Sequence, residues 1–136
     1  MTAHRLTVRV YYEDTDFSGF VYHANYLRFL ERGRTELLRG LALEQADLQR
    51  DAGLIFVVRR MVLDFLKPAR MDDVLTVMTE PLELRGASMP LAQEIRRGEE
   101  VLLRADVVVA SVRGGRAVRL PDGLRRALSQ ATTLSS

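Results

Sequence analysis

The 136-residue chain carries 20 basic and 18 acidic residues, a net charge of +2 and no cysteine. This length predicts one domain with its own hydrophobic core, and the missing cysteine excludes disulfides and thiolate chemistry. The near balance of charge, with Arg residues spread along the chain among Asp and Glu, argues against a nucleic-acid partner.

Membrane spans and metal sites are also not expected. No apolar run approaches the roughly 20 residues of a membrane span, and the first residues lack the apolar core of a signal peptide. We therefore expect a cytoplasmic protein. The two histidines, His4 and His23, are far apart and lack a partner at ligand spacing, so no metal site is predicted.

A strand, a loop and a long helix are predicted first. Apolar residues alternate with polar ones over Leu6–Tyr12, which is the period of a half-buried strand. A polar loop over residues 13–22 follows, with Gly19 at its bend. From Ala24 to Arg39 the apolar residues recur at helical spacing, which predicts an amphipathic helix.

The ends and the interior of this helix carry specific predictions. Asn25 or His23 is the candidate N-cap, and Gly40 is the candidate residue just past the C-terminus. Gly33 costs a helix interior up to about 1 kcal/mol relative to Ala. We attribute this glycine to close packing of the helix on a sheet.

The second half of the chain is predicted to be a run of antiparallel strands, preceded by a short helix or irregular connection over 43–52. Alternation and turn residues predict strands over Leu54–Leu66, Val74–Leu84, Gly86–Arg97, Val101–Arg113 and Ala117–Leu120. Pro90 implies an edge or a bulge in the third of them. We expect a short helix from Pro121 and a frayed tail over 129–136.

This order of elements predicts an α+β fold in a single domain over residues 1–136. One long helix covers only one face of a sheet, yet the strands that start at Leu54 and Val101 are apolar on both faces. A second copy of the chain is the simplest cover for the other face, which predicts a homodimer.

The loop before the helix holds the candidate chemical groups. Asp14 and Asp16 on one extended face would repel each other, which either raises one pKa or requires a turn between them. We favour the turn, with one carboxylate facing solvent or backbone and the other facing the helix start. The alternative is a structural role, in Asx turns or in ion pairs with Arg28 and Arg32.

Tyr12 and His23 flank these carboxylates. A helix N-terminus collects unpaired N–H groups and partial positive charge, so it favours an anion or a developing oxyanion. Taken alone, His23 would be interpreted as an N-cap or a packed ring, and Tyr12 as packing at the edge of the core.

The loop and helix resemble the hotdog-fold acyl-CoA thioesterases, with Gly19 and the segments Tyr12-Glu13-Asp14-Thr15-Asp16, Val21-Tyr22-His23-Ala24-Asn25-Tyr26 and Glu31-Arg32-Gly33-Arg34-Thr35-Glu36. Within that superfamily they resemble the 4-hydroxybenzoyl-CoA thioesterase-like group, and in it the members associated with the Tol-Pal cell-envelope genes. Residues 56–61, 68–73 and 84–88 fit the same pattern, so the resemblance covers most of the chain.

The resemblance implies five or six antiparallel strands wrapped around one long helix, with the chains paired into dimers and often tetramers. The family's catalytic carboxylate falls on Asp16, as nucleophile or general base, and the His23 backbone N–H polarises the thioester carbonyl. The side chains of Tyr12 and His23 belong to the same site in related members. The substrate is an acyl-CoA, with an acyl-carrier protein as an alternative carrier, and no metal or redox cofactor is implied.

The phosphates of CoA need cations. Arg59 and Arg60, which interrupt an otherwise apolar strand, are candidates, as is Arg70. The alternative for the first two is an ion pair between subunits, with Asp64 or Asp106 as the partner.

Four further residues follow from the resemblance. Arg85 and Ser88 lie in a turn that resembles the family's CoA-contacting turn, and we expect them to bind substrate. Phe17 and Phe20 stand where relatives tend to have smaller residues. If either faces the acyl pocket it should shorten or reshape it, so no acyl chain is assigned.

Two other functions fit the same segments. A hotdog hydratase or dehydratase also acts on acyl thioesters, but its Asp and His lie closer together than Asp16 and His23. A non-catalytic module would bind an acyl thioester or an acyl-carrier protein without turnover. The Gly-x-Ser-x-Gly motif of serine hydrolases does not occur in the chain.

Overall fold

A computed structural model gives the structure of residues 3–41 and 45–135. Its elements in chain order are β1 (His4–Arg9), a 3₁₀ turn (Tyr12–Asp14), α1 (His23–Gly40), α2 (Gln45–Ala52), β2 (Ile55–Phe65), β3 (Val74–Pro81), β4 (Ser88–Arg97), β5 (Glu100–Arg113), β6 (Arg116–Ala117) and α3 (Asp122–Ser135). The predicted order of strand, long helix and consecutive strands is confirmed, although residues 43 and 44 lie outside the described ranges.

All the strands join one antiparallel sheet in the order β1-β3-β4-β5-β2, with β6 paired to the end of β5. Helix α1 packs on its inner face, where Phe29 and Leu30 are fully buried with Leu75 and Ile95 of the strands. The sheet and helix confirm the predicted α+β class. The helix thereby holds its N-terminus at one end of the sheet.

Gly33 sits where α1 comes closest to the sheet. A Cβ atom at this position would lie 2.7 Å from Val77 Cγ1 and 2.8 Å from Thr79 Oγ1, and both distances are shorter than carbon and oxygen atoms tolerate. This confirms that the glycine serves close packing of helix on sheet.

The structure corrects the predicted helix ends. Tyr22 is the N-cap residue and makes no side-chain cap bond, so neither His23 nor Asn25 is the cap. The Asn25 side chain instead donates to a carboxylate of the preceding loop, which satisfies it elsewhere. Gly40 is the last helical residue, and Leu41 is the C-cap.

Pro90 lies in an inner strand, and no bulge falls at its position, so the predicted edge or bulge is wrong. It pairs with Val108 of β5, and the shift in that ladder occurs between Ile95 and Arg96. Its carbonyl accepts from the N–H of Leu82, just after β3 ends, so its nitrogen faces the same side. Proline has no N–H to donate. The missing donor falls just past the end of β3, where the ladder between β3 and β4 has already finished.

Two other elements end elsewhere than predicted. The chain leaves β1 at Arg9 because the backbone of Val10 bonds to Asp72 and Asp73 and the next residues form the 3₁₀ turn. Helix α3 extends to Ser135, through the stretch where a tail is predicted. Within the described ranges no helix is long and apolar enough to cross a membrane.

Strand β2 forms one edge of the sheet and carries apolar side chains that no other part of the described chain covers. It pairs only with β5 among the residues that the structure describes. The partly exposed side chains along it and just beyond it are Ile55, Val57, Val58, Val62, Phe65 and Leu66. An apolar edge of this length is a surface that another strand can cover.

We predict that Gly33→Ala destabilises the fold. The added methyl group must displace the stiff Val77 side chain or move the helix, and overpacking of this kind costs roughly 1–3 kcal/mol. Urea denaturation should therefore show a lower free energy of unfolding.

Gly40→Ala is the matched control, since a Cβ there meets only His4 Cδ2, at 4.0 Å. An unchanged midpoint for Gly33→Ala would show that the helix does not need this close approach.

Candidate active site

Asp14 is a buried structural residue of the loop between β1 and α1. Its Oδ2 accepts from the Tyr11 backbone N–H at 2.8 Å, and its Oδ1 accepts from Asn25 Nδ2 at 2.7 Å. Only 8% of the residue is exposed. The carboxylate thus joins the loop to the first turn of α1.

Asp16 turns the other way and is exposed. Its Oδ1 accepts from the backbone N–H of Ser18, at 2.8 Å, and from the Ser18 hydroxyl. The hydroxyl bond first, and then the backbone bond, lower the pKa of Asp16 below its ordinary value of 3.8, and the charge of His23 acts in the same direction. The predicted turn between the two carboxylates is therefore present.

Gly19 makes the bend that returns the chain to the helix. Its φ of +85° is a conformation that side chains other than glycine rarely adopt. The backbone N–H groups of Gly19 and Asp16 bond to the carbonyls of Asp16 and Phe20, both at 3.0 Å. These bonds hold Asp16 against the start of α1.

His23 is the first residue of α1. The first N–H groups of a helix have no carbonyl one turn earlier to bond to. No hydrogen bond to the His23 N–H is found among residues 3–41 and 45–135. This N–H is a donor at the positive end of the helix dipole.

Asp16 and His23 line one open cleft of about 250 Å³, which we call the Asp16 cleft. Its other lining residues are Ser18, Phe20, Val21, Tyr26, Phe65, Leu66, Lys67 and Pro68. The loop and helix start supply one wall, and the end of β2 with the following residues supplies the other. A carboxylate and a helix N-terminus therefore face the same space.

Aromatic rings connect the two walls. Phe65 at the end of β2 meets the His23 ring edge to face, with centroids 5.0 Å apart, and the Tyr26 ring at 5.7 Å. The Tyr26 hydroxyl accepts from the backbone N–H of Ala69 at 3.0 Å, which fixes the ring. Nothing in the sequence marks Phe65 as a cleft residue, because it is one of several apolar residues along β2.

Two cations lie near this cleft, but each already has a partner. Lys67, the only lysine of the chain, bonds to Glu100 at 2.7 Å. The Arg70 guanidinium lies over the Phe20 ring, 5.2 Å from its centroid. Phe20 is itself one of the residues that line the cleft.

Tyr12 and Phe17 lie outside the cleft. Tyr12 is 81% exposed and Phe17 is fully exposed. Neither lines the cleft, so a single chain does not bring the Tyr12 side chain to Asp16. Their exposure leaves them free to meet another molecule.

The candidate phosphate-binding residues lie at the middle of β2 or beyond it. Arg60 is five positions before Phe65, which is about 17 Å along a strand. Ser88 pairs with Ala110 of β5, and the Arg85 backbone pairs with Ser88 in the adjoining turn. One chain alone therefore does not place these residues, or Arg59, beside the cleft.

The alternative for Arg59 and Arg60, an ion pair with Asp64 or Asp106 of another subunit, stays a prediction, and no such pair forms within the described part of the chain. In the register of β2 with β5, Asp64 faces Arg104 and Asp106 faces Val62. Among the residues the structure describes, no ion pair involves Arg59 or Arg60. Arg59 falls at the bulge between Val58 and Arg60, without a strand partner.

Comparison with known families identifies the superfamily of the chain. Residues 18–104 match the thioesterase superfamily model. The chain belongs to the thioesterase superfamily. It is a thioester hydrolase with a hotdog fold, as the sequence resemblance predicts.

Two relatives match the thioesterase over most of its length. An acyl-CoA thioesterase, YbgC of Haemophilus influenzae, is 48% identical over 105 residues, which cover 77% of each chain. An acyl-CoA thioester hydrolase, YbgC of Escherichia coli O157:H7, is 46% identical over 112 residues, which cover 82% of this chain and 83% of the relative.

Solved structures give the same assignment. A probable thioesterase from Bartonella henselae has a TM-score of 0.85 and 43% identity, and the match covers 88% of this chain and all of that one. A thioesterase complexed with coenzyme A and Zn from Thermus thermophilus has a TM-score of 0.83 and 25% identity, over 95% and 93% of the chains.

We predict that the two loop aspartates of the thioesterase differ in their effect on stability. Asp14→Ala removes two charge-assisted bonds and leaves Asn25 without its acceptor, so the free energy of unfolding should fall by roughly 1–3 kcal/mol. Asp16→Ala, at an exposed position, should lower it less than Asp14→Ala does. Urea denaturation of both variants measures the difference, and equal losses would contradict these roles.

Proposed function

We propose that the thioesterase hydrolyses an acyl-CoA to the free acid and CoA, with Asp16 and the backbone N–H of His23 as its chemical groups. The observation that supports this most is that both residues line one cleft. The names of the relatives support CoA as the acyl carrier. An acyl-carrier protein is a second carrier to assay.

The His23 N–H would stabilise the transition state. Hydrolysis of a thioester moves negative charge onto the carbonyl oxygen, and one preorganised donor at that oxygen is worth roughly 3–4 kcal/mol. The dipole of the 18-residue α1 adds positive potential at the same point. This donor belongs to the backbone, so it does not depend on the His23 side chain.

Asp16 would act in its ionised form. The bonds from Ser18 stabilise the carboxylate, which can then attack the carbonyl carbon or take a proton from an attacking water. CoA departs as a thiolate, a good leaving group, so the reaction needs no strong acid. It also needs no metal or redox cofactor, and a chelator should leave the rate unchanged.

A second copy of the chain would extend the site. The open apolar edge of β2 suits antiparallel pairing with the same strand of another copy. Pairing about the middle of β2 brings the Ile55 end of one copy toward the Phe65 end of the other. Arg59 and Arg60 of both copies would then lie together at the middle of the seam, between the two Asp16 clefts.

The proposed unit is therefore a homodimer, and two dimers can associate into a tetramer. Light scattering should give a mass of at least twice that of one 15.4 kDa chain. A mass of one chain in solution, with full activity, would contradict this arrangement.

We predict that Asp16→Asn lowers kcat by roughly 10²–10⁴, because the amide can neither attack nor accept a proton. His23→Ala should lower kcat less, since the backbone N–H survives the change. Thiol release from a panel of acyl-CoAs measures both rates.

Glu13→Gln is the matched control, because Glu13 is an exposed carboxylate of the same loop that does not line the cleft. Near-full hydrolysis by Asp16→Asn would rule out the proposed role. Equal losses in the Asp16 and His23 variants would instead assign the His23 side chain a direct part.

The pH dependence of the hydrolase gives a separate prediction. Asp16 must be ionised and its pKa is lowered, so kcat/KM should persist below pH 3.8 and fall only as the pH drops through the lowered pKa. Ser18→Ala removes the bond that lowers this pKa most, so the loss of activity should begin at higher pH.

Ser18→Thr keeps a hydroxyl and should behave like the natural enzyme. If the acid limb does not move in Ser18→Ala, Asp16 is not the group whose ionisation controls the rate.

A further inference from the structure

The Asp16 cleft is closed at one end, where its two walls are bonded to each other. Phe20 of the loop forms an antiparallel bridge with Arg70, in the segment that follows β2. Beside this bridge, the backbone N–H of Val21 donates to the Ala69 carbonyl at 2.9 Å. The backbone therefore forms a continuous barrier, and a ligand in the cleft cannot pass this junction.

Phe20 supplies an aromatic ring at this closed end. The residue is half-buried and lines the cleft. The Arg70 guanidinium lies over the ring, 5.2 Å from its centroid, and a cation in this position is attracted to the aromatic face. The Phe20 backbone is held as well, because its carbonyl accepts from the Asp16 N–H at 3.0 Å and its N–H donates to Ser18 Oγ at 3.3 Å. The ring is therefore restrained from both sides.

Arg70 is held in place independently of the ring. Its backbone N–H donates to Asp73 Oδ2 at 2.9 Å, and its carbonyl accepts from the Asp73 N–H at 3.1 Å. The Asp73 carboxylate also forms an ion pair with Arg97 of β4, at 2.8 Å. Arg70 thus extends over Phe20 from a turn that is anchored to the sheet.

The cleft is too small for a whole acyl-CoA. Its volume of about 250 Å³ corresponds to roughly eight waters at about 30 Å³ each, and a hexanoyl thioester group has about as many non-hydrogen atoms. The larger and polar CoA part must then extend out of the open side. This directs the acyl group to the closed end, where the apolar side chains of Phe20, Val21 and Tyr26 suit hydrocarbon.

We propose that Phe20 sets the upper limit on the length of the acyl group that the thioesterase accepts, and that Arg70 is the positioning residue that holds the Phe20 ring across the closed end. This inference rests on the proposed function, because it places the thioester between Asp16 and the His23 N–H. An acyl chain of more than about six carbons meets the ring before its carbonyl reaches that position. A smaller side chain at position 20 opens the end of the cleft.

Thiol release from butanoyl-CoA and octanoyl-CoA tests this limit. The measured quantity is kcat/KM for the octanoyl substrate divided by kcat/KM for the butanoyl substrate. Phe20→Val should raise this ratio roughly tenfold or more, because methylene groups that newly fit an apolar pocket change specificity by at least this much. A ratio that stays at the value of the natural chain would overturn the proposal.

Three further variants assign the effect to the ring and to the cation above it. Phe17→Val makes the same change at the fully exposed phenylalanine of the loop, which does not line the cleft, and should leave the ratio unchanged. Arg70→Gln should raise the ratio less than Phe20→Val does, because the ring remains but loses its cation. Arg70→Lys keeps a cation and should retain the natural ratio.

The remaining outcomes are also decisive. An equal rise in Phe17→Val would show that the loop as a whole sets the limit, which overturns the role of Phe20. No rise in Arg70→Gln overturns the positioning role of Arg70. If Phe20→Val does not fold by circular dichroism, Phe20→Leu decides, since leucine keeps an apolar side chain without the ring, and an unchanged ratio in that variant overturns the proposal.

Failure of the length limit and failure of the proposed function are separable. S-butyl-CoA and S-octyl-CoA are thioethers that cannot be hydrolysed, so calorimetric titration compares the two chain lengths without turnover. Phe20→Val should strengthen the binding of S-octyl-CoA relative to S-butyl-CoA roughly tenfold or more. Hydrolysis with an unchanged ratio contradicts only the role of Phe20. Phe20-dependent binding of the thioethers, without thiol release from any acyl-CoA, contradicts only the proposed function.

Discussion

The packing of α1 on the sheet is the constraint on which the site depends. Gly33 lets the helix approach β3 more closely than any residue with a Cβ would. At the other end, the buried Asp14 carboxylate joins Asn25 of the first turn to the backbone at Tyr11. A helix fixed at both points holds its first N–H groups at a constant position beside the Asp16 cleft, which is what preorganised stabilisation of an oxyanion requires.

Two aspartates of one short loop illustrate how environment separates roles. Asp14 is buried and bonded on both oxygens, so it stabilises structure and has no free face for a substrate. The Asp16 carboxylate bonds to Ser18, lines the cleft and is accessible. The 3₁₀ turn that ends at Asp14 separates the two residues, because the chain becomes extended only at Thr15.

Strand β2 and helix α1 run between two ligand-sized spaces. The Asp16 cleft lies where β2 ends at Phe65, and a second cavity, lined by Arg34, Phe56 and Val58, lies near its start. The exposed edge of β2 is apolar except at Arg59, Arg60 and Asp64, so the chain leaves a largely apolar surface exposed between these spaces. A second copy paired along this edge would bring the two kinds of space together across the seam.

The sequence by itself determined the order of elements, because hydrophobic period, turn residues and a helix start are local features within a few residues. Its resemblance to a known family singled out Asp16 and His23 as the candidate pair. It also indicated that Gly33 needs close packing. Only the tertiary structure decided that Asp14 is buried, that Tyr12 and Phe17 point away, and that Phe65 and Arg34 face cavities. Those outcomes depend on which distant strand lies against each face of α1, and pairing across the sheet is not written in any local pattern of residues.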